Sequence, residues 1–415
     1  MKPAGYSSVG NKLSGHAGIT ELMQDLGEAM SGANAGTMRM LGGGNPAAVP
    51  EAQALWRRRL GELLADSDAC DRMLVNYDGP AGSPVFREQV AECLGRELGW
   101  KVSAANVAIT AGAQSAFFQL FNLFAGCDAT GTVRKIVLPI SPEYIGYTDQ
   151  LPNDDAFSAR RPIIEEIGTH DFKYHVDFEN LKLGDDTGAV CVSRPTNPSG
   201  NVLSDEELGG LRAAAHAQGV PLIVDNAYGQ PFPGAVFTAA SPPDWDDDLV
   251  MVFSLSKIGL PGLRTGIVVA NEEIVSRIAS MTAVIGLANN NIGQAVAGPL
   301  LASGELLQLS RDVVRPFYEQ KSQLARDLLA QRFGDAFPYR VHVSEGAFFL
   351  WLWLPELPIT SRELYERLKR RNVLVVPGEY FFYGLDDQLD WPHREQCVRL
   401  TFSQSEQTIS AGLEE

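Results

Sequence analysis

The stretch Phe253–Gly266 reads FSLSKIGLPGLRTG and follows the apolar run LVMVFS, so its one amine, Lys257, is delivered to the end of a strand that reads as buried. An ammonium group in that position is costly unless something takes up its charge. Desolvation lowers a lysine's pKa, and the neutral amine is a nucleophile toward an aldehyde, the chemistry of a Schiff base. Ser254 stands three residues before Lys257 and Arg264 seven after it, across a turn with two glycines and a proline that lets the chain fold back. A hydroxyl and a guanidinium fork brought together in this way suit an anion such as phosphate. A lone S-x-x-K is as readily a surface lysine. The full string, with the arginine and a following glycine, is far more specific.

Other segments carry candidates of the same kind. PLIVDNAYGQPF sets Asp225 at a strand terminus with Tyr228 three residues on. Beside a pyridine ring that carboxylate would keep the ring nitrogen protonated; on its own it is equally a helix cap or turn residue. SRPTNPSGN puts Asn197 in a turn, able to bond a phenolic oxygen or simply to close an Asx-turn. In ITAGAQSAFFQLF a strand runs into a helix, and the free N–H groups of Ala113 and Gln114 make either an anion site or an ordinary strand-to-helix turn. LGGGNPA, with Gly42, Gly43 and Gly44 in a row, allows close approach of the backbone to a ligand, or is a flexible turn.

The elements that must position these residues are legible as alternation. NVAIT, KIVLPI, AVCVS, PLIVD, LVMVFS and GIVVA are short strand candidates separated by amphipathic helical stretches. That pattern predicts an α/β domain with a mainly parallel, seven-stranded sheet, which binds ligands at the carboxyl ends of its strands. SDEE at Ser204–Glu207 and TSRE at Thr360–Glu363 predict capping boxes opening two helices, the second before the strand VLVVP. GITELMQDLGEAM predicts a helix in the N-terminal arm. The expected organisation is an arm and part of a small domain over 1–50, a large domain over 51–310 and a smaller α+β domain over 311–415.

Composition narrows the function classes. The 415 residues are 45% hydrophobic, enough for more than one domain, and the net charge of −17 would repel a nucleic-acid backbone. The basic runs Arg57–Arg59 and Lys369–Arg371 read as solvated helix faces. The five cysteines are scattered, with no metal-type spacing, which predicts reduced thiols and no metal. The longest apolar run, AFFLWLWL, is far short of the ~20 residues that span a bilayer. A cytoplasmic enzyme without membrane or nucleic-acid partners is expected.

Taken in order, LGGGNPA, YDGPAG, QSAFF, LFNLFAG, PEYIGY, KYHVDFE, SRPTNPSGN, DNAYG, SLSKIGLPG, EGAFFLWLW and WPH resemble the fold-type I pyridoxal-phosphate enzymes, the aspartate aminotransferase superfamily, along nearly the whole chain. The resemblance implies pyridoxal 5'-phosphate as cofactor, joined to Lys257. Asp225 would pair with the ring nitrogen, Asn197 and Tyr228 would bond the ring oxygen, and Tyr144 would stack on the ring. Ser254, Arg264, Ala113 and Gln114 would hold the phosphate. Tyr77 would reach the phosphate of a neighbouring subunit, making a homodimer the active unit. Arg399 would clamp the substrate carboxylate, helped by Gly43 and Asn197.

The implied reaction is a ping-pong exchange in which valine or a similar amino acid donates nitrogen and pyruvate accepts it. Ile19, Tyr144 and Leu287 are the expected side-chain lining, and no second cation stands out to bind an acidic substrate. A lyase or synthase on the same fold would use the same residues around the cofactor. A regulatory protein on this fold would carry a basic DNA-binding module ahead of it, where this sequence has only a short arm before LGGGNPA. Two segments depart from the pattern. LANNNIGQ has asparagines where the resemblance implies a Pro-Gly-Gly type turn, and the sixteen residues after Arg399 predict a short last helix.

Overall fold

All six strand candidates form strands of one sheet. The computed structural model describes residues 5–15, 18–31, 37–153, 155–335, 337–385 and 390–415. Its main sheet has the order Val107–Thr110, Gly266–Val269, Leu249–Ser254, Leu222–Asp225, Thr187–Ser193, Val133–Leu138, with Phe157–Ala159 and the two-residue strand Gly126–Cys127 both pairing with Val133–Leu138. Gly126–Cys127 makes the strand count eight where seven were expected. Gly266–Val269 runs antiparallel to both its neighbours, while the four central pairings are parallel. Strands 107–110, 187–193, 222–225, 249–254 and 266–269 are buried at every residue. Helices cover both faces, which is why these segments read as continuous apolar runs rather than alternating ones.

A second, six-stranded sheet has the order Val376–Pro377, Cys397–Thr401, Phe349–Trp353, Arg340–His342, Asp171–His175, Ile163–Ile167. Its last two strands form a hairpin that lies within the span 51–310, yet Asp171 and Phe172 pair in parallel with Val341 and His342. The N-terminal segment contributes to a separate two-stranded sheet. Arg39–Met40 pairs with Val373–Leu374. The helix Gly18–Ser31 is tied down through Glu21, which accepts from Arg362 and from the Tyr380 hydroxyl, each at 2.6 Å, and through Asp25, which accepts from Tyr365 and from Lys369.

Ser204 and Glu207 form the reciprocal capping box expected of them, opening the helix Asp205–Gln218. Thr360 caps the helix Ser361–Arg370, but Glu363 bonds Arg367 one turn on at 2.5 Å rather than reaching back. An arginine at i+4 is the stronger partner for an exposed carboxylate. The last helix, Glu406–Leu413, has eight residues. All five cysteines are unpaired, and among the described residues no helix is long and apolar enough to cross a membrane.

Candidate active site

The strand ends converge on a cavity of about 640 Å³ between the main sheet, the glycine segment and the N-terminal helix. Lys257, Asp225, Tyr228, Asn197, Ser254, Arg264, Ala113, Gln114, Tyr144, Gly43, Arg399 and Ile19 all line it. Tyr77 does not. It lies on the surface of its own chain, 85% exposed. Leu287 is also exposed and stands outside the cavity lining, because the helix before it ends at Gly286 and the residue turns out with φ of 64°.

Each side chain is placed by a local reason. Asp225 and Ser254 are the last residues of neighbouring parallel strands, so both emerge at the same edge. The helix Ala113–Phe124 begins at Gly112 with no side chain capping it, which leaves its N-terminal N–H groups open. Arg264 has φ of 45°, a left-handed conformation that carries its guanidinium beside Gly112. Gly112 has φ of 87°, a conformation that favours glycine, and a Cβ on it would sit 2.3 Å from that guanidinium and displace it. The cation and the helix N-terminus thus share one corner, and both attract an anion. Gly42 packs equally tightly, since a Cβ on it would meet the Val375 carbonyl at 2.8 Å.

Lys257 donates to the Gly44 carbonyl at 2.8 Å and lies 5.1 Å above the Tyr228 ring. Enclosure, with the Arg399 charge adding to it and Asp225 opposing, lowers its pKa to about 8. About a tenth of the amine is therefore neutral at pH 7, far more than for an ordinary lysine. Burial pushes the Asp225 carboxyl upward, against donated bonds from Tyr147 Oη at 2.5 Å and Ala227 N at 2.9 Å. The Tyr228 hydroxyl is buried with no partner among the described residues. Arg399 is buried too, and its two hydrogen-bond acceptors are neutral oxygens, Asn197 Oδ1 and Gly42 O, each at 2.7 Å. Its Nε has no partner among the described residues, and Phe349 and Phe381 lie under the guanidinium at 4.2 and 5.4 Å. Burial without a carboxylate partner lowers its pKa to about 10. Such a guanidinium favours a bound carboxylate.

Three polar residues of the site escaped the sequence reading. Glu143, Ser193 and Tyr147 are buried together behind Asp225. Glu143 accepts from Ser193 N at 2.8 Å, from Ser193 Oγ at 2.6 Å and from Tyr144 N at 3.0 Å. Burial nonetheless pushes its carboxyl up to about 7. The available signal was PEYIGY itself, where Glu143 interrupts an apolar stretch and Tyr147 follows Tyr144 by one 3₁₀ turn. Leu22, Met23 and Met40 complete an apolar wall beside Ile19.

Residues 62–415 match the family model for aminotransferase class I and II. The chain is 47% identical to the valine–pyruvate aminotransferase of Escherichia coli strain K12, over 98% of this chain and 96% of that protein. The crystal structure of valine-pyruvate aminotransferase from Salmonella typhimurium LT2 superposes with a TM-score of 0.87 at 44% identity, covering 95% of this chain and 96% of that one. A Thermus thermophilus aspartate aminotransferase mutant, at 21% identity and a TM-score of 0.77 over 99% and 98% of the two chains, shares the fold.

Proposed function

The chain belongs to the class I and II aminotransferases, and from that premise we propose that it exchanges the amino group of L-valine, or a similar small apolar amino acid, with pyruvate, giving 2-oxoisovalerate and L-alanine. The observation that carries the substrate class is the buried Arg399 with an unpartnered Nε, facing a wall of Ile19, Leu22, Met23 and Met40. The other cations among the described lining residues are Lys257 and Arg264, both engaged in the cofactor reading below. An acidic side chain would find no further cation in the lining.

Pyridoxal 5'-phosphate is the cofactor this reading requires, and the residues fit it. Arg264, Ser254 and the open N–H groups of Ala113 and Gln114 would hold its phosphate, in the corner that the glycine at position 112 leaves room for. The orphaned Tyr228 hydroxyl would find its acceptor in the ring oxygen. Asn197, whose oxygen is occupied by Arg399, would offer its amide N–H to the same atom. Asp225 would face the ring nitrogen and hold its proton, and Tyr144 would cover the ring face. When bound, the cofactor supplies the electron sink and carries nitrogen between the two half-reactions. Lys257 would hold the cofactor's aldehyde carbon at rest. As a free amine it would be placed to take the Cα proton of the donor and to return one to the acceptor, and the enclosure that lowers its pKa in the cofactor-free chain favours that role. Arg399 fixes the α-carboxylate of both substrates, so donor and acceptor present Cα to the same amine.

A homodimer is part of the proposal. Tyr77, Leu74 and Val75 on one segment and Val284, Ile285 and Leu287 on another are exposed, and the two segments abut through Asn291 and Asn289, which donate to Asn76 O and Pro80 O. A second copy of the chain would cover these side chains and receive Tyr77 in its site. The unpaired thiols support a cytoplasmic location.

The test is a donor screen. Valine should exceed 2-aminobutyrate, one methylene smaller, in kcat/KM by roughly 10–200-fold, since a pocket separates such neighbours by ~1–3 kcal/mol. Aspartate and glutamate should fall below valine. Arg399→Ala should cost every donor roughly 10–200-fold, the value of one hydrogen-bonded charge. An acidic donor that beats valine, or an Arg399→Ala enzyme that treats all donors as before, would overturn the assignment.

A further inference from the structure

The segment LANNN, where the sequence departs from the expected Pro-Gly-Gly turn, connects the helices Glu272–Gly286 and Ile292–Ser303. Its three asparagines face three different segments. Asn289 Nδ2 donates to the Ile109 carbonyl at 2.6 Å, on the outermost strand of the main sheet, which has no strand on its other side. That strand leads directly into Gly112 and the open helix N-terminus. Asn290 Nδ2 donates to Leu263 O at 2.9 Å and Arg264 O at 3.2 Å, while its Oδ1 accepts from Gly293 N at 3.3 Å. Asn291 Nδ2 donates to Asn76 O at 2.8 Å and Met73 O at 3.4 Å, capping the last carbonyls of the helix Ser67–Val75 just before Tyr77.

These are the segments that carry the helix N-terminus, Arg264 and Tyr77. We propose that Asn289, Asn290 and Asn291 form a clasp that positions the phosphate-binding corner, with Asn290 holding Arg264 in its left-handed conformation. The inference rests on the cofactor reading above. Its physical basis is the donor geometry. The Arg264 side chain has only long bonds of its own, to Pro261 O at 3.4 Å and Ala111 O at 3.5 Å, so little besides its backbone fixes where the guanidinium stands. A non-glycine residue at φ of 45° is held there only by its surroundings. Asn290 supplies the restraint by bonding two successive carbonyls from one amide. An aspartate of the same shape would turn acceptors toward those carbonyls and push them away.

The experiment titrates the full-length, cofactor-stripped chain with pyridoxal 5'-phosphate and, separately, with phosphate-free pyridoxal, following the visible absorbance band. Asn290→Ala and Asn290→Asp should weaken pyridoxal 5'-phosphate binding by roughly tenfold, the value of one or two hydrogen bonds, and leave pyridoxal affinity within about twofold. Asn289→Ala, acting on a different segment, should show the same selectivity, which keeps the test open if an Asn290 variant folds poorly. Unchanged pyridoxal 5'-phosphate affinity, or a parallel loss of both ligands, would overturn the clasp. A wild-type chain that binds pyridoxal 5'-phosphate no better than pyridoxal would sink the phosphate reading of the cavity, and the clasp with it.

Discussion

Replacing Glu143 by glutamine should change how stability depends on pH. The Glu143 carboxyl is pushed from its ordinary 4.5 to about 7 by burial behind Asp225. Between those values the folded chain holds a proton that the unfolded chain has released, so stability is greatest below pH 4.5 and falls as pH rises through 7. The full difference is about 3 kcal/mol, most of which is lost between pH 5 and 8.5. For 415 residues that corresponds to about 3 °C in Tm. A glutamine side chain cannot ionise, so this component disappears in Glu143→Gln. The substitution also has a pH-independent cost. Both carboxyl oxygens accept backbone N–H groups, Ser193 N on one and Tyr144 N on the other, so a glutamine must turn its own donor toward one of them, at about 1–3 kcal/mol. Melting curves of the cofactor-stripped wild type and Glu143→Gln, recorded from pH 5 to 8.5 at constant ionic strength, should show the variant less stable at pH 5 and the gap shifting in its favour by about 3 °C at pH 8.5. A gap that stays constant within about 1 °C would mean that Glu143 does not titrate in this range, and that its three donors outweigh its burial.

Asp225→Asn should slow Cα deprotonation by orders of magnitude while cofactor affinity, held by Arg264 and the helix N-terminus, largely survives; equal loss of both would make Asp225 structural. Tyr147→Phe removes the 2.5 Å donor to Asp225 and should move the acid limb of the kcat profile to higher pH by about 1–2 units, because a carboxylate that loses a charged hydrogen bond ionises later. Mixed dimers of inactive Lys257→Ala with impaired Tyr77→Phe should contain one intact site each and recover about a quarter of wild-type activity in a random mixture; verified hybrids that stay inactive would remove Tyr77 from the partner's site.

The main sheet and much of the cavity lining were legible because the strands are short apolar runs and some of them end on a residue of the cavity. Asp225 and Ser254 close two such runs, and reading the run finds the residue; Ser193 closes a third and was passed over. What stayed hidden depends on pairing across long separations. Tyr147 meets Asp225 across 78 residues, and nothing in PEYIGY announces which strand end its hydroxyl will reach. The hairpin 163–175 reads as an ordinary excursion of the large span, because its attachment is a parallel pairing with residues 341–342 that leaves no local pattern. Glu363 misleads because a capping-box spacing does not reveal the competing Arg367. Leu287 misleads because a left-handed turn reverses the direction that helical spacing would give.

The same hairpin determines how the molecule comes apart. The sheet that carries Arg399 is assembled from strands at both ends of the span 163–401, so a single cut that separates the proposed carboxylate clamp from the layer that holds Lys257 also divides that sheet. A recombination breakpoint near residue 310 would transplant Arg399 but leave behind the hairpin 163–175, exposing the Val341 side of the new sheet as an unpaired edge. Inheritance of substrate preference in this architecture is therefore discontinuous along the gene: the hairpin must travel with the C-terminal segment, or the exchanged piece arrives with a raw border.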